Sequence, residues 1–233
     1  MTRLEADGFA VVENVGSPDA LTALREAFAA PVADGAGGVR NVLRDVPAAR
    51  AAAVSNAVQA LVKPILGGDC FAVRGILFDK TADGANWKVP FHQDLSVAVS
   101  RRPDNPPPDW GAWTEKAGVA HGQPPAALLA RMLTVRLHLD DCGIENSPLR
   151  VLPGTHRHGR LSPPQIAAFR ESVPEVACTV DVGGAVVMRP LLLHASSPVM
   201  GTTAGARRRV LHVEYAPADA TFPEGLDWYE RTG

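Results

Sequence analysis

"CFAVRGILFDK", Cys70 to Lys80, is where the chain changes character. Its apolar and β-branched residues read as a strand. Upstream of it the pattern is mainly helical. "SPDALTALREAFA" offers Ser17 as N-cap, Pro18 as first helical residue, and Leu21, Leu24 and Phe28 on one face. "VPAARAAAVSNAVQALVKPILGG" predicts a second helix, stopped near Pro64 and Gly67. A short strand pattern, "DGFAVVENV" (Asp7 to Val15), comes before both, and a Gly-rich loop from Asp34 to Gly38 separates them. Downstream, strand-like runs recur: Leu95 to Val99 in "PFHQDLSVAVS", then "RMLTVRLHLDD" (Arg131 to Asp141) and "LRVLPG" (Leu149 to Gly154). "VACTVDV" (Val176 to Val182), "AVVMRPLLLHAS" (Ala185 to Ser196) and "RRVLHVEYAP" (Arg208 to Pro217) complete the series. Seven short strands, interrupted by one helix from Pro163 to Ser172, predict an antiparallel sandwich or barrel rather than a doubly wound fold.

The 233 residues suit one domain, with residues 1–69 as a helical support and 70–217 as the β core. Apolar residues make up 46% and charged residues 21%, ordinary values for a globular chain. The net charge of −2 supplies no basic field to hold nucleic acid or an anionic membrane, which leaves a small-molecule substrate. Cys70, Cys142 and Cys178 are far apart and form no CxxC pair, as expected of core thiols in a reducing cytoplasm. No signal-peptide pattern and no run of about 18 apolar residues occurs, so a soluble, cytoplasmic protein is expected. The proline-rich segment 101–125 reads as a lid loop, whose Trp110 and Trp113 either line a pocket or pin the loop down.

The polar opening of "PFHQDLSVAVS" carries the chemistry. In an extended strand residues i and i+2 share a face, so His92 and Asp94 project together and Gln93 projects away. An imidazole and a carboxylate so placed can clasp one metal ion, and His194, ending the apolar run "RPLLLHAS", is the best third ligand. Two histidines and a carboxylate form the facial set that suits non-haem Fe(II). On spacing alone each is equally open to a structural role, as a hydrogen-bonded strand-end residue. Arg207, Arg208 and Arg209 follow at the start of the last strand, where a buried Arg can pair with a dicarboxylate.

"VPFHQDLSVAV", "ENSPLRVLPGTHRHG", "RPLLLHASSPV" and "RRRVLHVEYA" together resemble the phytanoyl-CoA dioxygenase family of Fe(II)/2-oxoglutarate oxygenases. The resemblance implies a double-stranded β-helix, a cupin-like jelly roll, with a helical N-terminal layer. It places the iron ligands on His92, Asp94 and His194, and the arginine for the distal 2-oxoglutarate carboxylate on Arg208, with Arg209 as the alternative. It puts Arg136, Gln93 and Ser196 near the co-substrate, and makes "PGTH" (Pro153 to His156) a structural turn. It further implies O2 as oxidant and succinate and CO2 as products. Related halogenases carry a small residue at the carboxylate position, so Asp94 points to hydroxylation. Arg74, Phe78, Trp87, Phe91, Trp110, Trp113, His138 and Trp228 are the candidate substrate residues. Two other classes remain open on this scaffold: a metal-dependent non-oxygenase, which needs the triad but not Arg208, and a binding or sensor protein, which needs neither.

Overall fold

The computed structural model describes residues 2–30, 38–82, 84–199 and 207–233. Helix α1 (Thr2–Asp7), strand β1 (Phe9–Val12) and helix α2 (Pro18–Ala27) come first. Then follow β2 (Val39–Arg40), α3 (Val42–Asp45), α4 (Pro47–Ala53), α5 (Asn56–Leu66) and the long β3 (Cys70–Thr81). The middle of the chain forms β4 (Val89–His92), β5 (Val97–Val99), β6 (Trp113–Lys116), β7 (Val119–Gly122), α6 (Ala126–Arg131) and β8 (Leu133–His138). It ends with β9 (Leu149–Val151), α7 (Pro163–Ser172), β10 (Val176–Cys178), β11 (Ala185–Met188), β12 (His194–Ser196) and β13 (Arg207–Pro217).

Every paired strand is antiparallel. A large sheet runs β1-β11-β8-β13-β3-β2, a second β10-β9-β12-β4, and a third, smaller one β5-β7-β6. The first two are the walls of a double-stranded β-helix. Strand alternation gives the large sheet two unlike faces. Leu77, Leu133, Val135, Leu137, Leu211, Val213 and Tyr215 point outward and pack against Leu24, Leu43, Val58 and Val62 of the helical layer. Arg74, Ile76, Phe78, Lys80, Arg136, Arg208 and His212 point inward, into a cavity shared with the second sheet. Tyr215, fully buried, donates its hydroxyl to the Ala53 carbonyl at 2.9 Å and so ties the sheet to α4, a bond worth about 1 kcal/mol. At Gly75 the helices come so close that a Cβ would stand 2.6 Å from the Leu43 side chain.

Several sequence expectations are refined. The N-terminal region is not helical throughout: β1 and β2 form the two edges of the large sheet. The expected second helix is two, α4 and α5, because the Ser55 hydroxyl accepts from the Val58 amide and starts a new one. Pro64 lies inside α5, which ends instead at Gly67 in the left-handed conformation. "AVVMRPLLLHAS" splits into β11 and β12, in different sheets. The segment 101–125 is half hairpin: β6 and β7 meet at Ala117–Gly118, with φ of 51° and 74°, the signature of a tight I′ turn. The Gly-rich loop falls mostly on residues 31–37, outside the described residues. Cys70, Cys142 and Cys178 are buried and free. No helix among the described residues is long and apolar enough to cross a membrane.

Candidate active site

His92 closes β4 and His194 opens β12, and the two are direct cross-strand partners. Their rings lie 4.3 Å apart, centre to centre. The strand ends at His92, not at Val99, so Asp94 sits in the link to β5 instead of on a continuous strand. Its amide donates to the Pro190 carbonyl at 2.9 Å, which still brings the carboxylate to the two rings. Asp94 Oδ1 is 3.8 Å from His92 Nε2, and Oδ2 is 3.6 Å from His194 Nε2. In each histidine Nδ1 lies 2.9 Å from the carbonyl two residues back, Pro90 or Leu192. That contact fixes the proton on Nδ1 and leaves the Nε2 lone pair facing Asp94. Burial pulls the pKa of His194 down to about 3, so its ring is neutral. Burial opposes the charge on Asp94, but His194, His212, His92 and Arg74 outweigh it and hold its pKa below the usual carboxylate range. Asp94 Oδ2 is buried without a hydrogen-bond partner. Two free lone pairs and an orphaned carboxylate oxygen, with all ligand atoms within 4.8 Å, can hold one divalent ion.

Along β3 and β13 the cavity turns cationic. Arg208 and Lys80 are cross-strand partners, both buried. Arg208 donates to the Ser147 carbonyl and, at 2.9 Å, to Ser196 Oγ. Lys80 Nζ donates to the same hydroxyl at 3.0 Å and to the carbonyls of Trp87 and Ser197. Arg136 lies over the Phe78 ring, 5.2 Å from its centre. Arg208 Nε and Arg136 Nε are buried and unpaired, and none of the three cations has a carboxylate partner among the described residues. Burial, then Arg208 and Arg136, lower the Lys80 pKa to about 7. Burial and Arg208 bring Arg136 to about 10. Unpaired buried cations are costly unless an anion joins them. Arg209, by contrast, is spent on Asp140, with bonds of 2.7 and 2.9 Å.

Sequence reasoning missed Lys80 and a buried chain beside the triad. Arg136 donates to His212 Nδ1 at 2.9 Å, so the His212 proton sits on Nε2 and is shared with Glu214 at 3.1 Å. Glu214 also pairs with Arg74. Burial opposes the Glu214 charge, but Arg74 and His212 outweigh it and keep its pKa low. The signal was available: Arg74, Ile76, Phe78 and Lys80 alternate onto one face, as do Arg208, His212 and Glu214.

The remaining candidates divide. Phe78, Trp87 and Arg74 line the cavity, which measures about 480 Å³. Gln93 lies beyond the end of β4 and borders the cavity, and its amide donates to the carbonyls of Gly159 and Leu191 and accepts from the Leu161 amide at 2.7–2.8 Å. It clamps two loops together. Trp110 and Trp113 stack on each other at 5.2 Å and pack with Phe222 and Trp228, pinning the hairpin instead of lining the cavity. Phe91 lies on the outer side against Ile166 and Phe169. His138 is buried with neither ring nitrogen bonded, and burial, Arg136 and Arg208 lower its pKa to about 3. In "PGTH" the anchor is Thr155, whose hydroxyl accepts from the Leu193 amide, one residue before His194.

Comparison with known proteins agrees with this architecture. AviO1 from Streptomyces viridochromogenes Tue57 is 22% identical, with 95% of each chain covered and a TM-score of 0.67. SnoK, an alpha-ketoglutarate-dependent carbocyclase from nogalamycin biosynthesis, is 16% identical, with 95% of this chain and 84% of SnoK covered and a TM-score of 0.69. EctD from S. alaskensis, solved with 2-oxoglutarate and 5-hydroxyectoine, is 19% identical, with 93% and 74% covered and a TM-score of 0.66. No curated protein sequence matches the chain significantly. The family model of phytanoyl-CoA dioxygenase matches residues 4–210, a span that holds His92, Asp94, His194 and Arg208, and the chain therefore belongs to the phytanoyl-CoA dioxygenase family.

Proposed function

We propose that the protein is an Fe(II)- and 2-oxoglutarate-dependent oxygenase that hydroxylates a small-molecule metabolite, consuming O2 and releasing succinate and CO2. The observation that carries this reading is the orphaned Asp94 oxygen facing two histidine Nε2 lone pairs. His92, Asp94 and His194 would hold the iron. Arg208 and Lys80, bridged by Ser196, would receive the distal carboxylate of 2-oxoglutarate, with Arg136 alongside. EctD was solved with 2-oxoglutarate bound on the same fold, which supports the co-substrate. When bound, iron and 2-oxoglutarate supply the oxidising power for C–H cleavage.

The residues of this chain bind, orient and keep water out. Backbone carbonyls fix the histidine rings. Ser196 aligns the two cations on a single oxygen. Ile76, Phe78, Leu95 and Leu149 give the cavity dry walls. Its volume suits a metabolite and not a polymer. SnoK is a carbocyclase on this fold, so the fold by itself does not choose hydroxylation over ring closure. Asp94 favours hydroxylation or ring closure over halogenation, because as an iron ligand it would leave no place for a halide.

The reading is tested without oxygen: adding 2-oxoglutarate to the Fe(II)-loaded protein should produce a weak visible charge-transfer band. Iron binding with no band under saturating 2-oxoglutarate would exclude the co-substrate. Lys80 adds a pH signature. Its amine binds the dianion only when protonated, so affinity for 2-oxoglutarate should fall as pH rises above about 7. For the protein without co-substrate the sign reverses. The unfolded chain binds the Lys80 proton up to its ordinary pKa of 10.5 and the folded one only to about 7. Folding stability should therefore rise with pH across that window. Both trends should vanish in Lys80→Met, measured by band titration and by chemical unfolding.

A further inference from the structure

Six cationic side chains line the cavity, Arg40, Arg74, Lys80, Lys116, Arg136 and Arg208, against the single carboxylate of Asp94. On the reading above, Asp94 faces the metal, Glu214 answers Arg74, and a 2-oxoglutarate dianion answers the group around Ser196. Arg40 and Lys116 are left over. Neither has an acidic partner among the described residues, and the only hydrogen bond of Lys116 Nζ is to Ser96 Oγ at 3.3 Å. The pair is also held in place. Asn41, the residue after Arg40, donates from Nδ2 to the carbonyl of Ala117, the residue after Lys116. The tight turn of the β6–β7 hairpin thereby delivers Lys116 to the edge strand β2. Arg40 is the cross-strand partner of Ile76, four residues and about 13 Å along β3 from Lys80, the partner of Arg208. Burial and the charge of Arg74 lower the pKa of both Arg40 and Lys116, and the opposing charge of Glu214 does not offset them.

We propose that Arg40 and Lys116 form a second anion-binding site on the side of the cavity bounded by β2 and the β6–β7 hairpin, and that it holds a carboxylate or phosphate group of the substrate. This deepens the oxygenase reading and rests on it, since it assigns the substrate class of the same cavity. Leu95 and Ile76 line the cavity with the pair, so the substrate is an amphiphilic acid: an apolar body against these walls and an anionic group held by the two cations. Such an anchor fixes the reacting carbon by tethering the molecule at its charged group.

The test uses the protein loaded with Fe(II) and saturating 2-oxoglutarate under anaerobic conditions. Phenylacetate, phenyl phosphate and neutral phenylacetamide are titrated by calorimetry while the charge-transfer band reports 2-oxoglutarate. At least one acid should bind about tenfold or more tightly than the amide, the worth of a charge-assisted hydrogen bond. The tighter of the two acids names the anion class. In Arg40→Gln/Lys116→Gln the acids should drop to the affinity of the amide, with the band unchanged. Acids no better than the amide, no binding of either acid, or wild-type acid affinity in the double variant would overturn the inference. Absence of the band in the wild-type protein would instead count against the oxygenase reading, and the probe titration would still decide the anion site.

Discussion

Replacing Asp94 with alanine should abolish the slow, substrate-independent conversion of 2-oxoglutarate to succinate. Loss of a partner that merely supports a metal ligand costs about 10–100-fold in affinity or activity, and loss of a ligand should exceed that. The fold should survive, because Asp94 Oδ2 has no hydrogen-bond partner for the variant to lose. The backbone bond from the Asp94 amide to Pro190 is kept in the variant. Iron titration should show weakened binding, chromatography should show succinate at background, and thermal unfolding should show a cooperative transition near that of the wild type. Wild-type succinate formation in a folded Asp94→Ala protein would remove Asp94 from the metal site.

Arg208→Ala should act differently, on the co-substrate and not on the metal. Its guanidinium is buried among carbonyl, hydroxyl and thiol partners, with no carboxylate paired to it among the described residues, so a bound carboxylate would supply its counter-charge. Truncating one member of a buried charged pair costs 2–5 kcal/mol, and the KM for 2-oxoglutarate should rise by about 100-fold. At saturating co-substrate much of kcat should return, because the triad is intact. Arg209→Ala is the control: its side chain belongs to Asp140, so it should lose stability and leave the KM for 2-oxoglutarate unchanged. A KM shift in Arg209→Ala and none in Arg208→Ala would reverse the assignment.

The candidate triad was legible because His92 and Asp94 stand at the head of one apolar run and His194 at the end of another, where polar residues need a reason. The choice between Arg208 and Arg209 was legible too, once alternation is carried down β13. Leu211, Val213 and Tyr215 mark the face against the helices, so Arg209 shares that face and Arg208 shares the cavity with His212. Lys80 escaped because a lysine ending a strand looks like an exposed terminus. Only the cross-strand partner shows that it is covered, and that is set by residues more than a hundred positions away. Trp110 and Trp113 stayed open between pocket and pin for the same reason, since what they pack against, Phe222 and Trp228, lies at the other end of the chain. The role of Gln93 as a clamp depended on two loops whose approach has no local signal.

The two histidines of the triad are unequal in their footing. His194 sits on an interior strand, bonded on both sides, while His92 ends β4, the outermost strand of its sheet, with a ladder on one side only. Pro90 within β4 fits such a border position. The His92 side chain is 39% exposed against 5% for His194. Peeling of β4 would therefore open the proposed metal site without disturbing the large sheet, and a bound ion would brace the border strand against peeling. The residence time of such an ion would then follow the breathing of one short strand, a motion that costs far less than unfolding the whole chain.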